Sequence, residues 1–533
     1  MVPVLRHLGR RFAIPVAAGG LLLIAAGVTA GQGAVEAGME AEFVRASRSD
    51  VGDRGALADV YAARSHRPIW IEDGVLGAGG RRAVEILRRA EDHGLAGDSY
   101  IPAGLSALIR DAEHGRLDPR SAGRLEAGLS LAFVRFARDL RTPAPSDEMI
   151  RVAGIGPRPE VDARGVLETV INTGGPAGVD AALRMHPEYD RLSAALAEWR
   201  RSFGRLPVPA IPPGRTVAPG QRDPRIPTLR VRLGAPQPGL DADVLDPALV
   251  DRLERFQAWH GLDATASLDR ATVEALNLAP VEYERRLITN LSRLRALPGE
   301  PGGRHLVVNV AEATLTAYQD GAPVKRMRVI VGAPDNPTPM MAGLIQYVVV
   351  DPYWNVPMDL VRDRIAPGVL RDGPASFEAR GLEALSDWSS SARPLKAADI
   401  DWAAVADGRS RVRVRQKPGP GNMMGRVKFM LPNDLGIYLH DTPDRALFER
   451  EGRALSAGCV RLEDARWLAQ WLSNFDVAGR DQRVEQRMDL ARPAPVFITY
   501  QTVTPRAGGG LAVLPDVYGR DRRSRLAFAD EAA

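Results

Sequence analysis

Thiol chemistry is the first possibility that this sequence raises, because its single cysteine, Cys459, has a setting typical of nucleophiles. The small residues Ala457 and Gly458 precede it, and His440 lies nineteen positions upstream. A thiolate attacks carbonyl carbon efficiently when a base or a positive dipole favours loss of its proton. Glycine also lets the backbone turn sharply and approach a substrate. The pattern is therefore that of a nucleophile site, and it makes this stretch the first candidate for chemistry in the chain.

The competing interpretation is structural, since a lone cysteine often serves as a small buried hydrophobic residue. The start of the chain bears on this choice. Arg6, Arg10 and Arg11 precede an apolar run over residues 12–30, followed by small residues, which is the order of an export signal. The run is close to the length that spans a bilayer, so residues 1–34 are either a signal peptide or an N-terminal membrane anchor. Both alternatives put the remaining chain outside the cytoplasm.

Cysteine has a particular meaning in an exported protein. In an oxidising compartment a structural cysteine is usually half of a disulfide bond. One cysteine cannot form a disulfide within its own chain, so a free thiol at Cys459 favours a functional role.

Length and composition set wider limits. The 533 residues are enough for roughly three or four domains, and a hydrophobic share of 45% suffices for several cores. The net charge of +4 is small for this length and gives no signature of nucleic-acid binding. Lysine occurs only at positions 325, 396, 417 and 428, so nearly all basic residues are arginine.

The first half of the chain has helical periodicity. We expect a helical scaffold domain over residues 35–205, with helices at 81–90, capped near Gly94, and at 125–140, the latter apolar enough to be buried. The proline-rich stretch 206–225 predicts an extended linker.

A small module is predicted next, over residues 226–281. Apolar residues alternate briefly at 229–233, and helices are expected at 247–260 and 271–278. A domain this small is usually a binding or packing module. A connecting helix over 282–302 follows.

From residue 303 the apolar period becomes two, which predicts a mainly β domain over 303–505. The expected strands are 305–310, 314–318, 325–331, 344–351, 427–431, 436–439 and 495–501, with a hairpin turn at 319–321. His440 then ends one strand. Cys459 is expected in a loop just before a helix, whose N-terminal dipole would favour the thiolate.

Two segments in the second half of the chain lack the strand pattern, one within this domain and one after it. Residues 358–412 are polar, rich in loops and partly helical, and an insertion of that length predicts a lid over the site. Residues 506–533 are expected to form a C-terminal tail.

The residues around the thiol resemble the active-site signature of the L,D-transpeptidases, whose catalytic domain is of the YkuD type. The matching residues are 437–443, Leu447-Phe448, Arg453 and 456–461. Segments that are similar to the long Gram-negative, YcbB-like branch are 61–70, 353–357, 415–422 and 425–429. Residues 226–280 resemble a peptidoglycan-binding module.

Two positions depart from the family pattern. Many members have a histidine where this chain has Ala457, which we interpret as a feature of the subfamily. In the small module, Ala264 to Ser267 replace the usual Asp-Gly turn, so the module either binds glycan or only positions the catalytic domain.

The resemblance implies a multidomain α+β protein of the periplasm that cross-links peptidoglycan. Cys459 would attack the L-centre carbonyl of a donor tetrapeptide, release D-alanine and pass the acyl group to the amine of an acceptor stem, giving a 3→3 cross-link. His440 would be the base, oriented by the backbone carbonyl of Asp441. The N–H groups of Gly458 and Cys459 would stabilise the oxyanion.

The resemblance also suggests residues that contact the substrate. Arg461 would hold a stem carboxylate or form a structural salt bridge. Tyr438 and Trp354 would shape the cleft, and Asn422 and Ser456 would either bind substrate or fix the loop. Asp441 is a further candidate for substrate binding. No metal or other cofactor is expected. The expected partners are stem peptides, with cell-wall synthesis proteins as further candidates.

Two other functions stay open at this point. An L,D-carboxypeptidase would use the same thiol with water as acceptor, and a cell-wall-binding protein would have lost catalysis. A papain-like hydrolase does not fit, because its cysteine precedes its histidine in the chain.

Overall fold

The computed structural model describes residues 32–43, 51–152, 154–158, 160–237, 239, 241–473 and 484–521. The predicted export signal or anchor over residues 12–30 therefore lies outside the described residues, as does the end of the predicted tail. Within the ranges described, no helix is long and apolar enough to cross a membrane.

The described chain divides into two compact units, and the first is helical. This unit comprises the residues up to 91, together with 96–139 and 161–183. Besides helical residues 32–43, it contains a small hairpin and six helices: β1 (Ile71–Glu72), β2 (Val75–Leu76), α1 (Val51–Ala63), α2 (Ala78–Arg88), α3 (Ala103–Glu113), α4 (Pro119–Leu140), α5 (Ala163–Thr173) and α6 (Gly175–Ala182).

Helix α4 forms the centre of this first unit, as its apolar sequence predicts. Leu125, Leu129 and Phe133 are fully buried along it. Helix α2 ends at Arg88, earlier than expected, and a 3₁₀ turn at Ala90–His93 precedes Gly94. Gly94 has φ +67°, which glycine adopts without a steric penalty.

The second unit begins its long continuous part with helices. They are α7 (Pro187–Trp199), α8 (Ile226–Arg232), α9 (Pro247–Trp259), α10 (Arg270–Asn277) and α11 (Pro280–Leu294). The alternation at 229–233 belongs to helix α8, because Leu229 and Leu233 lie one helical turn apart and both pack inward. Gln257 of α9 bonds to Thr265, Ser267 and Thr272 and so holds the turn that departs from the family pattern.

The rest of the second unit is organised around one large sheet. Its strands are β3 (Ile150–Arg151), β4 (Arg304–Asn309), β5 (Thr314–Gln319), β6 (Ala322–Gly332), β7 (Met341–Val350), β12 (Val427–Met430), β13 (Leu439–His440), β14 (Ala454–Ser456), β15 (Val460–Leu462) and β16 (Gln486–Thr499). The order is β12-β13-β15-β6-β5-β4-β16-β7-β3, with β14 beside β6. An additional pairing of β12 with β7 closes the sheet on itself.

The alternation in sequence explains this sheet. Leu306, Val308, Leu315 and Ala317 occupy every second position of β4 and β5 and are fully buried. Helix α16 (Ala465–Ser473) follows β15 and buries Ala465, Leu468 and Ala469. After β16 the chain forms a small hairpin of β17 (Val503–Pro505) and β18 (Leu511–Val513).

The insertion between β7 and β12 is more ordered than the sequence predicted. It contains a separate four-stranded sheet, β10-β9-β11-β8, built from β8 (Trp354–Asn355), β9 (Leu382–Leu385), β10 (Pro394–Leu395) and β11 (Arg413–Gln416). Its helices are α12 (Met358–Leu360), a π-helical turn at Val361–Ile365, α13 (Ala366–Asp372), α14 (Pro374–Ala379) and α15 (Trp402–Ala406). These elements enclose their own hydrophobic core, with Phe377 against Trp402. The predicted multidomain α+β class is confirmed.

Candidate active site

Three neighbouring strands place the candidate residues on one face of the large sheet. Lys428 of β12 lies opposite His440 of β13, and His440 lies opposite Arg461 of β15. Residues directly opposite each other in paired strands point to the same face, and so do residues two apart along one strand. Tyr438 precedes His440 by two and therefore shares this face; the two rings are 5.9 Å apart.

Cys459 immediately precedes β15, beside Tyr438. The N–H of Val460 donates to the carbonyl oxygen of Tyr438 at 3.1 Å, which fixes the approach of the two chains. The half-buried thiol donates to the carbonyl oxygen of Gly436 at 3.4 Å. The expected helix directly after Cys459 is wrong, because β15 intervenes and α16 begins only at Ala465. The thiol therefore gains no stabilisation from that helix dipole.

The loop before Cys459 is held by its own side chains. Ser456 Oγ donates to the carbonyl oxygen of Cys459 at 2.6 Å and accepts from the N–H of Gly458 at 3.2 Å. Thr338 Oγ1 donates to the carbonyl oxygen of Gly458 at 2.7 Å. Gly458 has φ +111°, and a Cβ there would lie 3.1 Å from Ile437, so the position requires glycine.

The hydrogen bonds of this loop bear on the roles of Ser456, Gly458 and Cys459. Ser456 fixes the loop, since both of its hydrogen bonds are internal. The N–H of Gly458 is already engaged by Ser456, whereas that of Cys459 has no partner among the described residues. Cys459 N–H is therefore the donor left for an oxyanion.

His440 is buried and neutral. Its Nδ1 donates to the carbonyl oxygen of Asp441 at 2.5 Å, the contact that the resemblance led us to expect. Because Nδ1 carries the proton, the lone pair lies on Nε2, where a base needs it. Burial, followed by the charge of Arg461, lowers the pKa of His440 to about 3.

The thiol donates to the carbonyl oxygen of Gly436, and no hydrogen bond joins Sγ to the imidazole of His440. The two side chains nevertheless belong to adjacent strands and the same face. Catalytic hydrogen bonds are often long in substrate-free enzymes and tighten when substrate binds.

Burial raises the pKa of the Cys459 thiol above its ordinary value. Four interactions oppose this effect, in decreasing order: a backbone hydrogen bond from Tyr438, the charge of Lys428, a side-chain hydrogen bond with Tyr438, and the charge of Arg461. The positive charges on this face therefore compensate in part for the loss of water around the thiolate.

Arg461 is half-buried and has no hydrogen-bond or ion-pair partner among the described residues. Its Nε is buried without a hydrogen-bond acceptor, and no described carboxylate lies within 4 Å of the guanidinium. Burial lowers its pKa, and Asp444 acts on it only at longer range. The structural salt bridge considered for Arg461 is thus absent among the described residues, which leaves a cation available to a ligand.

Three other expected ligand-binding residues have structural roles. Asn422 is 1% exposed and uses its amide to bond Pro352, Gln416, Lys417 and Met424. Trp354 packs on the hydrophobic core of the insertion. The carboxylate of Asp441 accepts from Arg426 N–H and from Arg445, so its carbonyl oxygen is the part that serves the site.

Lys428 is the site residue that sequence reasoning missed. Its Nζ lies 3.9 Å from the ring centre of Tyr438, on the face that carries the thiol. One signal was available in the sequence, where Lys428 stands between the apolar residues Val427 and Phe429. Both are buried in β12, and the alternation of the strand places Lys428 on the opposite face. That β12 pairs with β13, and so brings Lys428 opposite His440, is known only from the fold.

Comparison with known proteins matches two segments of the chain to protein families. Residues 303–498 match the family of L,D-transpeptidase catalytic domains (YkuD), and residues 55–196 match a family of scaffold domains. A Haemophilus influenzae protein provisionally named an L,D-transpeptidase is 34% identical over 272 residues, which are 49% of this chain and 54% of that protein. The chain thus spans about half the length of this curated relative. The resemblance to the L,D-transpeptidases is confirmed.

Solved structures of L,D-transpeptidases also align with this chain. The enzyme from Mycobacterium smegmatis is 14% identical over 37% of this chain and 58% of its own, with a TM-score of 0.19. L,D-transpeptidase 3 from Mycobacterium tuberculosis is 15% identical over 37% of this chain and 61% of its own, with a TM-score of 0.20. Scores this low carry no structural argument.

Proposed function

We propose that this chain, which carries an L,D-transpeptidase catalytic domain over residues 303–498, forms 3→3 cross-links between peptidoglycan stem peptides. The observation that carries this proposal is the placement of Cys459 and neutral His440 at one face of adjacent strands within that domain. A thiol, a base with a free lone pair and an unengaged N–H are the groups that acyl transfer requires.

The first half-reaction forms an acyl-enzyme. Nε2 of His440 takes the thiol proton while Sγ of Cys459 attacks the L-centre carbonyl of the third residue in a donor tetrapeptide. The N–H of Cys459 donates to the developing oxyanion. The intermediate collapses by breaking the peptide bond to the terminal D-alanine, whose amine receives the proton from His440.

The second half-reaction transfers the acyl group. The side-chain amine of the third residue in an acceptor stem attacks the thioester carbonyl and gives up a proton to His440. The C–S bond breaks, the cross-linked product leaves, and the thiolate of Cys459 takes the proton back from His440, which restores the free thiol. Water in place of the amine would give a tripeptide, which is the carboxypeptidase outcome.

Arg461 supports the choice of substrate. A stem peptide presents carboxylates next to the reacting carbonyl, and an unpaired guanidinium on the thiol's face can bind one of them bidentately. We propose the periplasm as the site of action, with residues 12–30 as export signal or anchor.

The test uses the full chain, purified in detergent because of the apolar run 12–30, with a disaccharide-tetrapeptide as donor and acceptor. Mass spectrometry should detect a cross-linked dimer that has lost one D-alanine, and a carbapenem should add its mass to Cys459. Cys459→Ala should abolish both results. Leu455→Ala, at an exposed position of the neighbouring strand β14, is the matched control and should retain them.

Each other outcome identifies an alternative. Tripeptide without dimer assigns the carboxypeptidase reaction. If the donor is unchanged and no carbapenem adduct forms on the wild-type thiol, the catalytic proposal fails and a cell-wall-binding role remains.

A further inference from the structure

Lys428 occupies an unusual position for a lysine. It lies in the interior strand β12, opposite His440 on one side and Val349 on the other, and its side chain is half-buried. No described carboxylate is within 4 Å of its ammonium, and its nearest aromatic contact is the ring of Tyr438 at 3.9 Å. A cation on a ring face is stabilised by the quadrupole of the ring, which holds the ammonium in place without neutralising its charge.

The charge of Lys428 acts on the thiol. Burial lowers the pKa of Lys428, while the charges of Cys459 and, to a smaller extent, Glu485 raise it. In return, the ammonium is the larger of the two cationic contributions that lower the pKa of Cys459, ahead of Arg461. Tyr438 contacts both partners, since its ring lies under Nζ and its backbone and side chain bond to the thiol.

The other basic residues of the site cannot replace Lys428 as the positive charge that lowers the pKa of the thiol. His440 is neutral, because burial, Arg461 and Lys428 all oppose its protonation, so it supplies no positive charge before the reaction. Under the proposed function, a bound carboxylate would neutralise Arg461. Lys428 then remains as the cation next to Sγ throughout the cycle.

We propose that Lys428 is a positioning residue for the nucleophile: its ammonium, held on the ring of Tyr438, supplies the resident positive charge that favours the thiolate of Cys459. This inference deepens the proposed function and adds a residue to the same site. The groups that face the thiol are Tyr438, Lys428, Arg461 and the neutral His440, and the charges that act on Lys428 are those of Cys459 and Glu485.

The experiment measures the alkylation rate of the thiol by iodoacetamide against pH, in the full chain and without substrate. Cys459 is the single cysteine, so the rate reports this thiol alone. Lys428→Met removes the charge and keeps most of the volume. Its alkylation midpoint should move up by about one pH unit, which lowers the rate near neutral pH about tenfold. Lys428→Arg keeps the charge and the ring contact and should stay close to wild type.

Lys325→Met is the matched control. Lys325 also lies over an aromatic ring, that of Trp467 at 5.6 Å, but it is paired with Asp464 and does not act on the thiol. Its midpoint should equal that of wild type. An unmoved midpoint in Lys428→Met with native circular dichroism, or an equal shift in Lys428→Arg, overturns the proposal.

The alkylation result is independent of the proposed function. A shift in Lys428→Met together with no cross-linking by wild type would support the role of Lys428 and refute the transpeptidase. Cross-linking by wild type without a shift in Lys428→Met would refute the role of Lys428 alone.

Discussion

Arg461 and Arg453 belong to the same domain but use their guanidinium groups differently. Arg453 donates to four backbone carbonyl oxygens at 3.1–3.2 Å: Val329, Arg450, Glu312 and Ala313. Arg461 has a buried Nε without an acceptor. Arg453 therefore stabilises the fold. The buried Nε of Arg461 lowers the stability of the protein unless a ligand supplies a hydrogen-bond acceptor.

We predict opposite consequences for the two glutamine substitutions. Arg461→Gln should lower kcat/KM for the tetrapeptide roughly tenfold to a hundredfold, mainly through KM, since a charged hydrogen bond contributes about 1.5–3 kcal/mol. Its Tm should not fall. Arg453→Gln should lower Tm because it leaves carbonyl oxygens unpaired. Steady-state kinetics and thermal unfolding measure both effects, and a fall in Tm for Arg461→Gln with unchanged kinetics would mean a structural role.

The sequence was informative about these residues to different degrees. Cys459 and His440 could be selected because their residue types, spacing and resemblance agree. Asn422 and Ser456 were left open between substrate binding and fixing the loop, and Asp441 was placed among the substrate-binding residues, because polar residues near a nucleophile invite that interpretation. Their actual partners are backbone atoms whose positions depend on loop geometry, which residue types do not reveal.

At the level of elements, the insertion over Trp354–Gln416 has the features of a unit that keeps its own shape. It has its own sheet and a continuous core, in which Phe377 and Trp402 are 5.1 Å apart and both buried. The proposed reaction needs water to be kept from the acyl-enzyme, and an ordered insertion is suited to this task.

We predict that Phe377→Ala loosens the insertion selectively. Loss of a buried phenylalanine costs about 3–5 kcal/mol, so hydrogen exchange should accelerate within residues 354–416 and not in β4 and β5. The ratio of tripeptide to cross-linked dimer should rise. Leu370→Ala, on the same insertion but 55% exposed, should change neither quantity. Faster exchange with an unaltered product ratio would exclude a role in keeping water out.

The strands of the large sheet were predictable where alternation runs for five or more residues, as in β4 to β7. The strands of the insertion were not, because they are two to four residues long and their burial comes from neighbours distant in sequence. Helix α8 was obscured for the opposite reason. Its seven residues are too few to distinguish a period of two from one of 3.6.

At the scale of the molecule, the two compact units differ in their buried titratable groups. In the first unit, burial raises the pKa of Glu126 to about 7. In the second, burial lowers the pKa of His186, His260 and His440 to about 3. These shifts imply that acid changes the stability of the two units in opposite directions.

The histidine pair of the second unit shows why acid is destabilising there. The N–H of Glu188 donates to Nδ1 of His186, so the proton of His186 lies on Nε2 and is donated to Nε2 of His305 at 3.0 Å. His305 in turn donates from Nδ1 to Gly302. Protonating His305 would turn two N–H groups toward each other inside the protein.

The sign of each contribution follows from which state binds more protons. A histidine with a lowered folded pKa binds its proton more readily when unfolded, so stability is lost as pH falls from about 6.5 to about 3. Glu126 with a raised pKa does the reverse: its contribution is complete below about 4.5 and is lost as pH rises to about 7. Each group changes stability by about 1.4 kcal/mol per pH unit within its window.

We therefore predict that lowering the pH from 6 to 5 stabilises the first unit by roughly 1 kcal/mol and destabilises the second by roughly 3 to 4 kcal/mol, because each of the three buried histidines binds a proton more readily when unfolded. Hydrogen exchange, corrected for the intrinsic pH dependence, measures each unit separately. Glu126→Gln should remove the trend in the first unit. His186→Ser, which keeps a cap for α7, should reduce the trend in the second, whereas the exposed His114→Ser should not. Parallel trends in both units would show that these buried groups do not control stability.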